Sequence, residues 1–221
     1  MKSRKILEVS GAAFLLAALV VLPPDIAPAA GAGCGVVEEL TRTAMVVRSG
    51  KETELALGDA VYSSDSIRTG ELGYAVVKFV DDTLMAIGSN SAVAITEVQF
   101  VPKSSSLHIG IDRGAVWISI GSIGLVNPNS VRIATPKALV SSGNATLQFE
   151  VGSEENVRVQ WMPKGGRVSV YSVKTKERME LREADLAAFI TSKGELSAKP
   201  AETPEDEAEK TDEAEGGTER R

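Results

Sequence analysis

A single histidine, His108, and a single cysteine, Cys34, occur in the whole chain. Zinc centres draw three or four ligands from His, Cys and carboxylates, and a Cys–His nucleophile pair needs both types together. This scarcity argues against metal and thiol chemistry. One cysteine also forms no intrachain disulfide. The longest apolar run, Gly11 to Leu22, falls short of the ~20 residues that carry a helix across a bilayer. Excess positive charge is absent as well. Net charge is −6, and residues 199–221 carry nine acidic against four basic side chains. The rest of the chain is therefore near neutral and lacks the clustered Lys and Arg of a phosphate-binding surface, so nucleic acid is not an expected partner.

What is present begins with an export pattern over residues 1–29. Lys2, Arg4 and Lys5 precede the apolar run, and Ala27-Pro28-Ala29 supplies the small residues of a cleavage site. An uncleaved anchor is the alternative, and Pro23-Pro24 speaks against it by ending the helix early. Ala32-Gly33-Cys34 has the look of a lipoprotein cleavage site, with Gly31 where such sites usually carry leucine. Cys34 also lies well beyond the apolar core, so a free thiol in a flexible linker over residues 30–42 is the expectation and lipidation the alternative. The protein is expected in the periplasm or secreted from a bacterium. It would meet a membrane only through the leader or a lipidated Cys34.

From about Ala44 to Ile190, short apolar strands alternate with Gly, Asp, Asn and Ser turns. Val157, Val159 and Trp161 share one strand face while Arg158 and Gln160 share the other. The spacing predicts strands at Ala44–Arg48, Glu54–Leu57, Ser66–Arg68, Tyr74–Val80, Thr83–Ile87, Ala92–Phe100, Val131–Ala134, Ala138–Val140, Thr146–Val151, Val157–Met162, Arg167–Val173, Arg178–Leu181 and Leu186–Ile190. It also predicts a hairpin of Leu107–Ile111 and Ala115–Ile120 about Arg113-Gly114. The expected fold is all-β: short antiparallel strands stacked as a β-roll or solenoid-like sandwich over residues 43–196. A disordered acidic tail over 197–221 follows. A weak internal echo supports stacking, since Lys51-Glu52-Thr53-Glu54-Leu55 through Asp59 resembles Lys176-Glu177 through Asp185, each followed by Gly-Glu-Leu.

An ordered set of turn motifs from about Thr43 to Phe149 resembles the periplasmic domain of the iron-dicitrate regulator, or FecR-type, family. Leu57-Gly58-Asp59 is similar to its L-x-x-G-D turn, and Asp65 through Thr69-Gly70 to its D-x-I-x-T-G. Ala75 through Phe79 with Asp81-Asp82-Thr83-Leu84 is similar to its strand and D-G-S turn, and Asn90-Ser91 to its n-S corner. Asp112-Arg113-Gly114-Ala115-Val116-Trp117 resembles its G-x-v-w hairpin, and Thr135-Pro136-Lys137-Ala138 its T-P-x-A. Two departures stand out. Ser142 through Phe149 lacks the arginine of the family's R-G-T-x-F. Only Met1 to Lys5 precedes the apolar run, where full regulators carry a cytoplasmic anti-sigma segment. The resemblance therefore implies a stand-alone exported relative.

Each motif residue (Gly58, Asp59, Asp65, Thr69, Gly70, Asp82, Asn90, Ser91, Gly114, Thr135, Pro136) is a turn former. Gly58, Gly70, Gly88 and Gly114 permit positive φ, and Asp59, Asp65, Asp82 and Asn90 can accept backbone N–H bonds. Asp81-Asp82, Glu38-Glu39, Glu154-Glu155, Asn144-Ala145-Thr146 and the glycines of Gly121–Gly124 and Gly165-Gly166 read as turns rather than metal, catalytic, glycosylation or phosphate sites. Trp117 and Trp161 read as half-buried core rather than sugar platforms. No catalytic residue, metal or cofactor is expected. The expected function is non-enzymatic binding of another envelope protein or peptide, in signalling or through an exposed sheet edge, with self-association open. A structural or glycan-contacting envelope role is the alternative. Export with cleavage after Ala29 predicts a mature chain starting at Ala30; intact mass of the exported protein checks it, and a diacylglyceryl adduct at Cys34 would contradict it.

Overall fold

The computed structural model describes residues 33–101, 104–126, 130–152, 154, 156–163, 167–181 and 186–200. The export segment, Gly165-Gly166 and residues 201–221 lie outside them. The described chain is built from strands. They are β1 (Gly35–Thr41), β2 (Ala44–Arg48), β3 (Lys51–Glu54), β4 (Ala60–Val61), β5 (Ser66–Thr69), β6 (Tyr74–Phe79), β7 (Leu84–Ile87), β8 (Ala92–Gln99) and β9 (Ser106–Ser119). A single helical turn, α1 (Ile123–Val126), precedes β10 (Val131–Ala134), β11 (Ala138–Ser142), β12 (Ala145–Val151), β13 (Val157–Pro163), β14 (Val168–Ser172), β15 (Arg178–Leu181), β16 (Leu186–Ile190) and β17 (Leu196–Pro200).

Period-two patterning explains how these strands assemble. Ala75, Val77 and Phe79 of β6 are buried while Tyr74, Val76 and Lys78 are not. Hydrogen bonding sorts the strands into two ladders. The first runs β4-β1-β6-β7-β9-β12-β13-β16-β17. The second runs β3-β2-β5-β8-β9-β10-β11-β14-β15. Every pairing is antiparallel except β9 with β10. Inward side chains of both ladders, among them Ile67, Ile109, Ile133, Leu147 and Phe149, merge into one core cluster. Burying each of these contributes roughly 1.5–3 kcal/mol. After β9 the chain winds regularly: a hairpin in the second ladder, one in the first, then the same again, with β11 docking on β14 and β13 on β16.

β9 belongs to both ladders, and this corrects the expected hairpin at Arg113-Gly114. Residues 106–113 pair with β8 and β10, whereas residues 114–119 pair with β7 and β12. Gly114 bends the strand without reversing it. Its φ is +95°, and a Cβ there would overlap Ser91, so two constraints select glycine. Gly121 is selected by proximity alone, because a Cβ would run into the Asp81–Thr83 backbone.

Other boundaries shift for identifiable reasons. The expected linker contains β1, whose Gly35–Thr41 pairs with β6 across a bulge at Val37/Glu39. The strand expected at Glu54–Leu57 lies earlier, at Lys51–Glu54, because Leu55 turns into the core. β17 continues to Pro200, so the domain passes the expected limit at 196. The internal echo maps in part onto equivalent places: β3 and β15 are the two outermost strands of the second ladder.

Replacing Gly114 with alanine should cost about 3 kcal/mol or more, since αL strain of roughly 1–2 kcal/mol adds to the overlap with Ser91. Gly50→Ala, at φ +78° with open space around it, should cost only about 1 kcal/mol. Urea unfolding midpoints of both variants check the difference.

Candidate functional site

Most of the motif residues lie at or beside turns, and several have their polar side chains engaged there. Asp59 Oδ2 accepts Ala56 N–H at 2.8 Å. Asp65 is buried and accepts Tyr62 N–H at 2.8 Å. Its carboxylate also takes a bidentate pair from Arg48, Nε to Oδ1 and Nη2 to Oδ2, each at 2.8 Å. The same guanidinium donates to Ala60 O and lies 4.2 Å from the Tyr62 ring centroid. Hydrogen bonding to Asp65 raises the already high pKa of Arg48, so its charge is permanent. Sequence reading missed Arg48; an arginine ending β2 gave no sign of its partner in the turn before β5.

Thr69 and Ser91 lock the corner beside Gly114. Thr69 Oγ1 donates to Gly88 O and accepts Ser91 N–H at 3.0 Å. Ser91 Oγ accepts Ala115 N–H at 3.2 Å. Asp81, rather than Asp82, performs the buried turn chemistry. Its carboxylate receives Thr83 N–H at 3.1 Å, Thr83 Oγ1 at 2.7 Å and Ile123 N–H at 3.3 Å. Thr83 Oγ1 in turn accepts Gly121 N–H. Asp82 is exposed, adopts φ 64°, and lies 3.4 Å from Lys78 Nζ. Asn90 adopts φ 52°, and Gly58 φ +85°, as expected of turn formers. Gly70 and Gly88 do not have positive φ, contrary to expectation; Gly88 is instead packed against Ala115. Thr135 closes its turn by accepting Ala138 N–H at 3.0 Å, with Pro136 exposed between them.

Surface chemistry concentrates on the outer face of the first ladder. The two tryptophans part company there. Trp161 is core at 3 % exposure, while Trp117 is 39 % exposed, which overturns the core expectation for Trp117. Trp117 sits cross-strand from Ala86 on β7 and Gln148 on β12. With Tyr74, Gly88 and Ala115 these residues line a shallow depression of about 350 Å³. The small neighbours leave the indole face uncovered, and no ionisable side chain but the Tyr74 phenol lines the depression. The cross-strand register, which sequence reading could not supply, sets small residues beside Trp117.

Among the described residues, no three His, Cys, Asp or Glu side chains gather in a group that could hold a metal ion. His108 Nδ1 lies 3.2 Å from Glu97 Oε2 and has no further ligand-type neighbour forming a metal cluster among the described residues. Cys34 is buried, not displayed on a linker. Its Sγ–H donates to Val61 O at 3.3 Å, and its backbone bonds Val61 and Val80. Burial, reinforced by the Asp65 charge, pushes its thiol from 9.0 up to about 11. Acylation at this sulfur would require the start of β1 to leave the core.

Comparison with known proteins places the middle of the chain. The family described as FecR protein matches residues 65–165, from the turn before β5 to the end of β13 and the residues just after it. A solved candidate anti-sigma factor from Parabacteroides distasonis is 13% identical, with a TM-score of 0.49, over 62% of this chain and 60% of that one. A second crystal structure from the same organism gives 14% identity and the same TM-score and coverage. The chain thus spans about 60% of the length of those proteins. A cell surface anchoring domain is 33% identical over 30% of this chain and 88% of its own, at a TM-score of 0.29. No curated protein matches the chain.

Asp65→Asn should lower stability by about 2 kcal/mol, the scale of a lost charge-assisted bond on a half-exposed arginine; denaturant titration measures it. For Cys34, native-state alkylation at pH 8 should run about 100-fold slower than in the unfolded chain, following the thiolate fraction. The folded thiol titrates above the unfolded one, so this contribution to stability is complete below pH 9.0 and is lost as pH rises toward about 11. Equal alkylation rates in the two states would contradict the burial.

Proposed function

With a FecR-family domain over residues 65–165 as its premise, we propose that this protein is an exported, non-enzymatic recognition module that binds another envelope protein through the Trp117 face. The carrying observation is the exposed indole with Tyr74 on a depression floored by Ala86, Gly88 and Ala115. Rigid aromatics of this kind supply much of the energy at protein interfaces. The carboxylates best placed for chemistry, Asp65 and Asp81, are instead committed to Arg48 and to the Thr83 turn. That division of labour supports binding over catalysis. The leader-like first 29 residues support action in the periplasm or outside the cell, and a signalling role accords with the family.

The uncharged rim of Gln148 and small residues around an open indole also suits the flat face of a sugar, which favours glycan contact as the second reading. A photoreactive side chain at Ala86 should yield one discrete cross-linked envelope protein. Trp117→Ala should reduce that product at least tenfold while shifting the melting temperature by only a few degrees. Equal product from a probe at Glu52, on the far ladder, would sink the protein-binding reading. Retention on peptidoglycan beads that depends on Trp117, without any protein product, would establish the glycan reading.

A further inference from the structure

A cleft of about 480 Å³ opens where β12, β13, β16 and β17 meet. Phe189 lies between two cations there: the Arg158 guanidinium is 5.7 Å from the ring centroid and the Lys199 ammonium 5.6 Å. Strand register brings them together, since Arg158 is opposite Phe189 and Lys199 is opposite its neighbour but one, Ala187. Arg158 is incompletely satisfied. Glu150 Oε2 reaches its Nη1 at 3.6 Å, while Nε is buried with no hydrogen-bond partner among the described residues. A buried N–H left unpaired on a charged group is costly, and a carboxylate oxygen is the acceptor that relieves it best. Asn156 is already engaged, its Oδ1 accepting Ser192 N–H at 2.7 Å. β17 forms the outer edge of the cleft and, among the described residues, pairs only with β16. An open edge of this kind is ordinarily covered or charged.

The chain that follows β17 has the matching chemistry. Residues 201–221 hold nine acidic and three basic side chains and start directly after Pro200, beside Lys199. We propose that this cleft is the docking site for the chain's own acidic segment 201–221, whose carboxylates pair with the Arg158 guanidinium and with Lys199 while covering the edge of β17. A tether this short holds the segment at an effective concentration on the order of millimolar, so a few salt-sensitive contacts populate the docked form. Phe189 and Lys199 lie beyond the family-matched region, and the cleft shares no lining residue with the Trp117 depression, so this proposal and the reading given to that face are tested separately.

The test compares the full chain with a chain ending at Pro200, which retains every described strand. The probe is the ¹H–¹⁵N signal of Arg158 Nε–H, followed with the Phe189 amide. In low salt the full chain should show the Nε–H proton downfield of its position in the shortened chain. The difference should vanish in 0.5 M (~3–5 Å screening) salt. It should also vanish in Lys199→Glu and in the triple variant Glu205→Gln, Asp206→Asn, Glu207→Gln, neither of which touches the core. Coincident spectra at low salt would overturn the proposal and leave the cleft to an outside carboxylate. A difference that survives high salt or both variants would overturn it equally.

Discussion

The bend in β9 at Gly114 is the constraint on which the two ladders depend. A strand that stayed in one ladder would leave the other without a centre. By changing ladders, β9 pairs with β8 and β10 on one side of the bend and with β7 and β12 on the other. The chain before it and the chain after it are thereby tied to one backbone. The bend is held by Ser91, whose hydroxyl takes the N–H of Ala115, and by Thr69, which takes the N–H of Ser91. Buried polar side chains at these positions satisfy backbone donors that the ladder change would otherwise strand.

The same economy of polar groups organises the rest of the molecule. Asp65 joins the turn before β5 to Arg48 of β2, and Asp81 joins the β6–β7 turn to the start of α1. These acids act as internal ligands for the backbone and for one arginine. The side chains proposed for recognition lie elsewhere, on the outward positions of the first ladder. Trp117 occupies its middle and Phe189 its far end. The family-matched region contains the first of these surfaces and only half of the second, because β16 and β17 fall outside residues 65–165.

Much of this was readable from residue pattern. β2, β10, β15 and β16 begin and end where the turn residues imply, because in each a short apolar or alternating run meets Ser, Thr or charged residues at both ends. Asp59, Asp65 and Thr135 serve turns as their side-chain chemistry suggests, and Asn90 takes the positive φ that asparagine tolerates. Gly114 misled: an Arg-Gly pair between two apolar runs signals a hairpin locally, yet a glycine at positive φ can bend a strand as well as reverse it. β1 and β17 were missed for a related reason. Both carry mostly exposed side chains and are held by backbone bonds to β6 and β16, which leave no mark on composition.

Local chemistry alone decided that the described residues fold almost entirely as strands, where most of their turns lie, and that Asp59 and Asp65 bond nearby backbone. Those outcomes need only side-chain alternation and the φ preferences of neighbouring residues. Tertiary structure decided which ladder each strand joins, that Arg48 meets Asp65, that Trp117 stands clear of its neighbours and that Arg158 and Lys199 flank Phe189. Each of these depends on pairing between strands far apart in the chain, and a hydrogen-bonded register between distant segments is set by the closure of the shared core.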